Sequence, residues 1–436
     1  MVISIDKRVL SILIVVIIIL TLFYVFSIQE DYIENKLPYV KIENLQDEDI
    51  VSDIFMITGS ASDPNGDDTL KKIEIKIDDG GWITVEGTTT WEYEWITYSY
   101  VGPCDIFVRA WDGIDYSDIV DVSVFVNNPE IAESDSHKWA VFIAAANFPE
   151  EEEAKLGNGG LYLMEEMAKF FIENYGYSTS NVFILFDDGW IRKDNGYGEK
   201  EQTLQQRPHE YKITYSSAKL EKVQSIISRV VSEANNFDDS EVFIWISSHG
   251  LGDNNATLTG GKIFERSTVY LWDSILTDKE LGDMIFSLNS EKTCVIVDAC
   301  FCGGFADKTI FNIPEIFLLE SDLPSPGRVI ISGSSKFREG FASTTRGPLF
   351  SLLWFEGIKT GEADGFRSGI FDIGKPTNLK THKDGKVSVE EAFYYARYVL
   401  RTNEELEDYK KMQPQINDQY PYAGRLRSRD GLILGE

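Results

Sequence analysis

From about residue 137 onward, short β-rich apolar runs alternate with segments of helical periodicity. The apolar runs are nearly continuous, as expected of strands buried on both faces of a sheet. They cover residues 140–146, 182–186, 242–247, 294–297 and 329–332. The longest helical stripe consists of Leu220, Val223, Ile226, Ile227, Val230, Val231 and Ala234. Repeated βαβ units predict an α/β fold with a doubly wound, mostly parallel sheet, in which ligands bind beyond the carboxyl ends of the strands.

Residues 38–128 have a different period. Ile73, Ile75 and Ile77 alternate with polar residues, which is the two-residue repeat of strands with one buried face. Turn sequences rich in Asp, Asn and Gly, at residues 63–67 and 78–81 among others, separate about seven short strands. This pattern predicts an all-β antiparallel sandwich. The segment "ITGSASDPNGDD" and those after it resemble the immunoglobulin-like modules of bacterial and archaeal surface proteins.

Residues 9–28 form an apolar run without a charge, and about 20 such residues in a helix span the hydrocarbon core of a bilayer. Lys7 and Arg8 precede the run, whereas acidic residues follow it. The positive-inside rule then predicts a transmembrane signal anchor with the folded domains outside the cytoplasm. The alternative is a cleaved signal peptide, but Val25-Phe26-Ser27 is a poor cleavage site and the run is long for one.

The predicted organisation follows from these three patterns. It comprises a cytoplasmic stub (1–8), a transmembrane anchor (9–28), a linker (29–37), an immunoglobulin-like sandwich (38–128), a second linker (129–136) and the α/β domain (137–436). A chain of 436 residues is long enough for two folded units. The net charge of −30 repels nucleic acid. We therefore expect no nucleic-acid partner.

Two of the predicted strands end in residues with the chemistry of a cysteine nucleophile. "VFIWISSHGLGD" places His249 and Gly250 after one strand, and "CVIVDACFCGGF" places Cys300 after the next. An imidazole near a thiol takes its proton and later protonates a leaving amine. Backbone amides, here expected to be those of Gly250 and Cys300, stabilise the oxyanion. Taken singly, such residues are usually structural, but their pairing at successive strand ends favours catalysis.

These strand ends resemble those of the caspase and legumain clan of cysteine peptidases, with a His-Gly end followed by an Asp-Ala-Cys end. The legumain-like branch is favoured by "KWAVFIAAANF", "YGYSTSNVFILFDDG", "VYLWDSILTDKELGDMI" and "RGPLFSLLWFEGIKTGEADG". The resemblance implies a caspase-like fold, His249 as general base and acid, and Cys300 as nucleophile, with protein or peptide substrates. The stretch "EAKLGNGGLYLMEEM" lacks the Arg-His pair of legumain-type enzymes, so strict asparagine specificity is not expected. Cys302 is predicted to shape the pocket, and Cys294 to lie in the core.

The same resemblance places the specificity pocket in the loop "SGSSKFREGFAS". Ser334, Ser335, Arg338 and Glu339 are the candidate substrate-binding residues. Glu339 suits a basic substrate side chain and Arg338 an acidic one, so the sign of the preference stays open. The alternative for Arg338 and Glu339 is that both are solvated side chains of the loop that do not contact a substrate.

No metal or nucleotide cofactor is predicted. The sequence has neither a Gly-rich phosphate loop nor a His-Glu-x-x-His zinc motif. Residues 63–68 carry several acids, but a solvated turn accounts for them. Asp384, Gly385 and Glu391 match part of a calcium loop, whereas Lys380 and His382 occupy positions where ligands would be needed. This second segment is interpreted as a turn followed by a helix cap.

Three functions remain open at this point. The first is a membrane-anchored extracytoplasmic cysteine endopeptidase that works through a thioester acyl-enzyme. The second is a transpeptidase of the same clan, in which an amine rather than water resolves the thioester. The third is a noncatalytic surface adhesion protein.

Overall fold

The computed structural model describes most of the chain. The described residues are 7–27, 35–52, 54–97, 100, 102–126, 136–148, 155–207, 209–251, 266–308, 323–368, 374–375, 383–421 and 431–436. Residues 1–6 of the predicted stub, 29–34 of the first linker and 129–135 of the second lie outside them. The same holds for Lys380 and His382.

The first helix, α1, spans Lys7–Ser27 over the apolar run. Its apolar side chains from Ile12 to Leu20 are exposed. Within the part of the chain that the structure describes, no helix has both the length and the apolar character needed to cross a membrane. The anchor at residues 9–28 therefore stays a prediction.

Among the residues that the structure describes, the all-β unit has nine strands in two sheets. They are β1 (Tyr39–Ile42), β2 (Ile50–Val51), β3 (Ile54–Ser62), β4 (Lys72–Ile77), β5 (Ile83–Thr84), β6 (Glu86–Gly87), β7 (Thr90–Ile96), β8 (Gly102–Trp111) and β9 (Val120–Val126). One sheet has the order β1-β3-β7-β6 and the other β2-β9-β8-β4-β5. All neighbours are antiparallel except β2 and β9.

The core of this unit lies between the two sheets. The predicted inward face of β4 is confirmed, because Ile73, Ile75 and Ile77 are all buried. Trp91 and Trp95 of β7 are buried opposite them in the same cluster. Buried residues alternate with exposed or half-buried ones along β8 and β9, which gives the sheet of these strands one apolar face.

A seven-stranded sheet forms the centre of the α/β unit, in the order β14-β11-β10-β15-β18-β19-β24. The strands are β10 (Lys138–Ala144), β11 (Val182–Phe186), β14 (Thr214–Ser216), β15 (Glu241–Ser247), β18 (Lys292–Asp298), β19 (Arg328–Ser332) and β24 (Gln415–Asp418). All pairs are parallel except β19 with β24. The predicted mixed α/β architecture with a mostly parallel sheet is therefore confirmed.

Short two-stranded sheets accompany the seven-stranded sheet in the α/β unit. They pair β12 (Trp190–Arg192) with β13 (Lys200–Thr203), β16 (Thr268–Tyr270) with β17 (Ile275–Thr277), β20 (Ala342–Ser343) with β21 (Gly347–Pro348), and β22 (Arg367–Ser368) with β23 (Gly374–Lys375).

Helices cover both faces of the sheet. They are α2 (Gly159–Tyr175), α3 (Leu220–Ala234), α4 (Asp278–Met284), α5 (Leu349–Thr360) and α6 (Val389–Thr402). The apolar sides of α2, α5 and α6 pack on one face in a single cluster. The predicted stripe of α3 packs with α4 on the other face. Burial on both faces explains why the strands read as continuous apolar runs.

The two units touch through a turn of the sandwich. The indole Nε1 of Trp190 donates to the backbone oxygen of Asp79 at 3.0 Å. Lys219 forms an ion pair with Asp79, and Lys222 donates to the backbone oxygen of Pro103 at 3.1 Å. The sandwich thus packs beside the edge of the sheet at which β11 ends.

Candidate active site

The ends of β15 and β18 carry the two residues predicted to be catalytic. The strands are parallel neighbours, and Ser247 pairs with Asp298. His249 and Cys300 each lie two residues beyond this pair. They therefore follow adjacent strands at the same carboxyl edge of the sheet, which is where α/β folds bind ligands.

Gly250 brings the two strand ends into backbone contact. A Cβ atom placed on Gly250 would lie 1.8 Å from the carbonyl oxygen of Cys300. A side chain at this position would force the two segments apart. Gly250 also forms an isolated antiparallel bridge with Val269, so this glycine is held between two neighbouring segments.

Two aromatic rings lie beside His249. The ring centroids of Phe148 and His249 are 6.2 Å apart, and those of His249 and Tyr270 are 6.5 Å apart in an edge-to-face arrangement. The backbone amide of Tyr270 donates to the carbonyl oxygen of His249 at 2.9 Å. These contacts fix the segment that carries the imidazole.

The thiol of Cys300 lies beneath the loop that follows β19. The Gly340 amide donates to its Sγ at 3.3 Å, and Sγ lies 3.6 Å from the Gly340 carbonyl oxygen as a donor. Burial raises the pKa of the Cys300 thiol, whereas hydrogen bonds from the amides of Gly340 and Gly250 oppose that rise. A thiol whose pKa is raised depends on a base to become a nucleophile.

Cys302 has different surroundings. Its side chain is fully buried, and its thiol donates to the Val297 carbonyl oxygen at 3.2 Å. The Ser334 hydroxyl lies 3.5 Å from the same sulfur. Burial raises the pKa of Cys302 to about 11. Cys294 is also buried, within the core of the sheet.

Asp298, the last residue of β18, contacts α5 directly and is linked to β15 through Ser351. Its Oδ2 accepts hydrogen bonds from the Ser351 amide at 2.9 Å and the Ser351 hydroxyl at 2.7 Å. Ser351 lies in the first turn of α5, so the carboxylate faces the positive end of the helix dipole. The same hydroxyl accepts from the indole of Trp245 in β15 at 2.9 Å. Burial raises the pKa of Asp298 to about 6.

The predicted specificity loop has a buried part and an exposed part. Ser334 and Ser335, two of the candidate substrate-binding residues, are fully buried. The Ser334 hydroxyl donates to the Ala299 carbonyl oxygen at 2.7 Å, which ties the loop to the nucleophile turn. Arg338 is half-buried and Glu339 is exposed. Only these last two can present their side chains at the loop surface, and their role in substrate binding stays a prediction.

Gly340 contacts the Cys300 sulfur, but the sequence does not mark it as a site residue. It belongs to the predicted loop, yet no side-chain chemistry marks it, because both of its contacts to Cys300 are made by the backbone. A half-buried Phe148 at the end of β10 went unnoticed for a similar reason. From the sequence, an aromatic residue that follows an apolar strand is interpreted as part of the hydrophobic core.

No group of three or more His, Cys, Asp or Glu side chains that could hold a metal occurs among the residues described. In the segment 63–67, the Asp63 carboxylate accepts from the Asn65 amide at 2.7 Å, as in an Asx-turn. The helix cap predicted near Glu391 is confirmed, since Ser388 and Glu391 form a capping box at the start of α6.

Comparisons with known proteins leave the family open. Neither protein-family models nor curated proteins match the sequence. Among solved structures, caspase-1 from Spodoptera frugiperda is similar at 11% identity over 68% of this chain and 90% of its own, with a TM-score of 0.36. Fibronectin(III)-like modules of Clostridium thermocellum CbhA align at 26% identity over 21% of this chain and 98% of theirs, with a TM-score of 0.18.

A third solved structure is the endo-beta-1,4-mannanase from Thermotoga petrophila, at 15% identity, 24% of this chain and a TM-score of 0.19. The alignment spans only 22% of that mannanase. TM-scores of this size carry no argument about family or activity.

Proposed function

We propose that this chain is a cysteine endopeptidase with a caspase-like catalytic domain, in which Cys300 is the nucleophile and His249 the general base and acid. One observation carries the proposal. The two residues extend adjacent parallel strands by the same number of residues beyond the pair Ser247 and Asp298, and Gly250 is in backbone contact with Cys300. A packing role alone does not require an imidazole, a thiol and a tight glycine at one edge of a sheet.

The proposed reaction has two stages. His249 accepts the proton of the Cys300 thiol, and the thiolate attacks the carbonyl carbon of the substrate. The oxyanion of the tetrahedral intermediate faces the backbone amides of Gly250 and Cys300. His249 then protonates the leaving amine, and water resolves the thioester. The raised pKa of the Cys300 thiol supports this scheme, because a thiol with a raised pKa needs a base to form the thiolate.

We assign substrate selection before the cut to the exposed part of the loop after β19. The Glu339 carboxylate is half exposed and lies 3.9 Å from the Lys411 ammonium. At that distance and exposure, the ion pair is weak enough for a basic substrate side chain to displace it. Arg338 offers the opposite charge to an acidic side chain. We expect a peptide library to show a charged or amide residue before the cut, and a preference for leucine or phenylalanine would contradict this assignment.

We further propose that residues 9–28 anchor the chain in a membrane, with an immunoglobulin-like sandwich and the catalytic domain outside the cytoplasm. The charges on either side of the apolar run support this orientation. Protease added to intact cells should digest both domains. Domains that survive until the membrane is opened would show the opposite orientation.

The test of catalysis uses the purified full-length chain. A peptidyl acyloxymethyl ketone should label Cys300, identified by mass spectrometry of the digested protein, and a fluorogenic peptide library should show turnover. Adding an amine nucleophile distinguishes the transpeptidase, which would give an amide product in place of the free acid. A chain that is folded but neither labelled nor active would contradict the proposal and favour an adhesion protein.

A further inference from the structure

Three half-buried aromatic rings form a continuous surface beside His249, and we call Phe148, Tyr270 and Trp272 the aromatic platform. The rings of Phe148 and Trp272 stack at 5.4 Å with an interplanar angle of 13°. Phe148 and Tyr270 meet edge to face at 6.0 Å. All three side chains remain partly exposed at the carboxyl edge of the sheet. A partly exposed apolar surface next to a reactive group is a candidate binding surface.

The sheet order fixes the side of His249 on which the platform lies. β15 is flanked by β18 on one side and by β10 on the other. Cys300 follows β18, whereas Phe148 follows β10. His249 therefore lies between the thiol and the platform.

Reaction chemistry then determines which part of a substrate reaches the platform. The carbonyl carbon of the scissile bond must contact the Cys300 sulfur, while the leaving nitrogen must lie within hydrogen-bond reach of the His249 imidazole. The chain that continues from that nitrogen leads away from Cys300, past the imidazole. The first residue after the cut therefore lies over the rings on the far side of His249.

We propose that the aromatic platform is the subsite for the residue that directly follows the scissile bond, and that it selects a large apolar or aromatic side chain there. This inference rests on the proposed peptidase function. It adds a second specificity element, separate from the charged loop around Arg338 and Glu339 that faces the residue before the cut.

The platform is held in place before a substrate arrives. The Trp272 amide donates to the Ala218 carbonyl oxygen at 2.9 Å, and the Arg192 guanidinium lies 4.8 Å from the centre of its ring system. Arg192 is in turn fixed by two hydrogen bonds of 3.0 Å to the Asp188 carboxylate. A surface that is already ordered loses little conformational freedom on binding, which favours affinity.

The experiment uses quenched fluorescent peptides and the purified full-length chain. The peptides share one sequence before the cut and carry Gly, Ala, Leu, Phe or Trp directly after it. We expect kcat/KM to be about tenfold higher for Phe than for Gly, since a pocket that covers part of a ring discriminates by roughly that factor. Equal kcat/KM values across the series would overturn the inference.

Variants of Trp272 assign the effect to the platform. Trp272→Ala should bring the Phe-to-Gly ratio of kcat/KM close to one, whereas Trp272→Phe keeps a ring and should retain most of the preference. Phe286→Ala is the matched control, because Phe286 is an exposed aromatic residue outside the platform, and it should leave the ratio unchanged. The assignment would be contradicted if Trp272→Ala kept the wild-type Phe-to-Gly ratio of kcat/KM, or if Phe286→Ala brought that ratio close to one.

Labelling separates this inference from the proposed function. An acyloxymethyl ketone carries only residues that precede the cut, so it reports on Cys300 without a residue on the platform. If the protein is labelled and active but cleaves all five peptides equally, the subsite assignment is refuted and the proposed peptidase function is retained. Folded protein that is neither labelled nor active would refute both.

Discussion

Cys300 and Cys302 lie at the two ends of the short turn after β18, and their thiols have different surroundings. At the first end, Cys300 is partly exposed and its sulfur contacts the backbone of Gly340 in the loop above it. At the second end, Cys302 is fully buried and donates to the Val297 carbonyl oxygen. A single residue of chain thus separates a candidate nucleophile from a structural cysteine.

The reason for the difference is the residue between them. Phe301 has a φ of 57°, in the left-handed region that non-glycine residues seldom adopt. Its amide donates to the Arg338 carbonyl oxygen at 2.8 Å, which helps to hold the strained conformation. The chain reverses at this point and directs Cys302 into the core. Position relative to the strand end, rather than residue type, therefore decides which thiol meets a substrate.

The largest expected effect comes from removing the exposed thiol. Cys300→Ala should lower kcat/KM by about 10³-fold or more, because no other thiol occupies the strand end. His249→Ala should lose a similar amount, and the double variant should be little worse than either single one, since the two groups act as a unit. Measuring peptide turnover and active-site labelling tests this. Residual labelling of Cys300→Ala at Cys302 would reverse the assigned roles.

Gly250→Ala should have the next largest effect. Its new methyl group would meet the Cys300 carbonyl oxygen at 1.8 Å, so the two strand ends must separate. A displacement of about 1 Å in a catalytic pair can cost about 10²-fold in rate. Gly160→Ala is the control, since a methyl group there meets only the Ala144 Cβ at 3.7 Å. Full activity in Gly250→Ala would contradict the proposed close approach of the strand ends.

The two thiols should also differ in their response to pH. Because burial raises the pKa of Cys300, its thiolate fraction and its alkylation by iodoacetamide should still increase above pH 9. Cys302, with a pKa of about 11 and no exposed surface, should remain unmodified in the folded protein over the same range. Peptide mapping after alkylation at several pH values measures both. A plateau for Cys300 below pH 7 would instead indicate a thiolate–imidazolium pair.

Much of this comparison could be predicted from the sequence. Nearly continuous apolar runs predict the parallel sheet, and parallel strands bring their carboxyl ends to one edge. His249 and Cys300 can therefore be assigned to one edge of the sheet from the sequence alone. The alternation in residues 38–128 predicted the sandwich in the same way. The prediction of the mostly parallel sheet succeeds because strands buried on both faces require apolar residues along their whole length. The catalytic roles of His249 and Cys300 stay predictions.

The remainder depends on contacts between distant segments. The burial of Ser334 and Ser335 arises because their loop turns inward against the nucleophile turn, and two serines in a polar loop give no sign of this. The contact between Trp190 and Asp79 joins two units that the sequence presents as separate. Backbone contacts such as those of Gly340 are independent of the side chain, so residue type does not reveal them.

Cys302→Ser should produce the smallest effect. A hydroxyl at this position can still donate to the Val297 carbonyl oxygen and contact Ser334, so the turn should keep its shape. We expect kcat/KM to change by about tenfold or less, and the free energy of unfolding in urea to fall by about 1 kcal/mol. Cys294→Ser, in the apolar core of the sheet, is the matched comparison and should cost more stability, because it buries a hydroxyl among apolar side chains. If Cys302→Ser were inactive while its unfolding midpoint stayed close to that of the wild type, Cys302 would itself take part in the reaction, and the distinction between the two ends of the turn would fail.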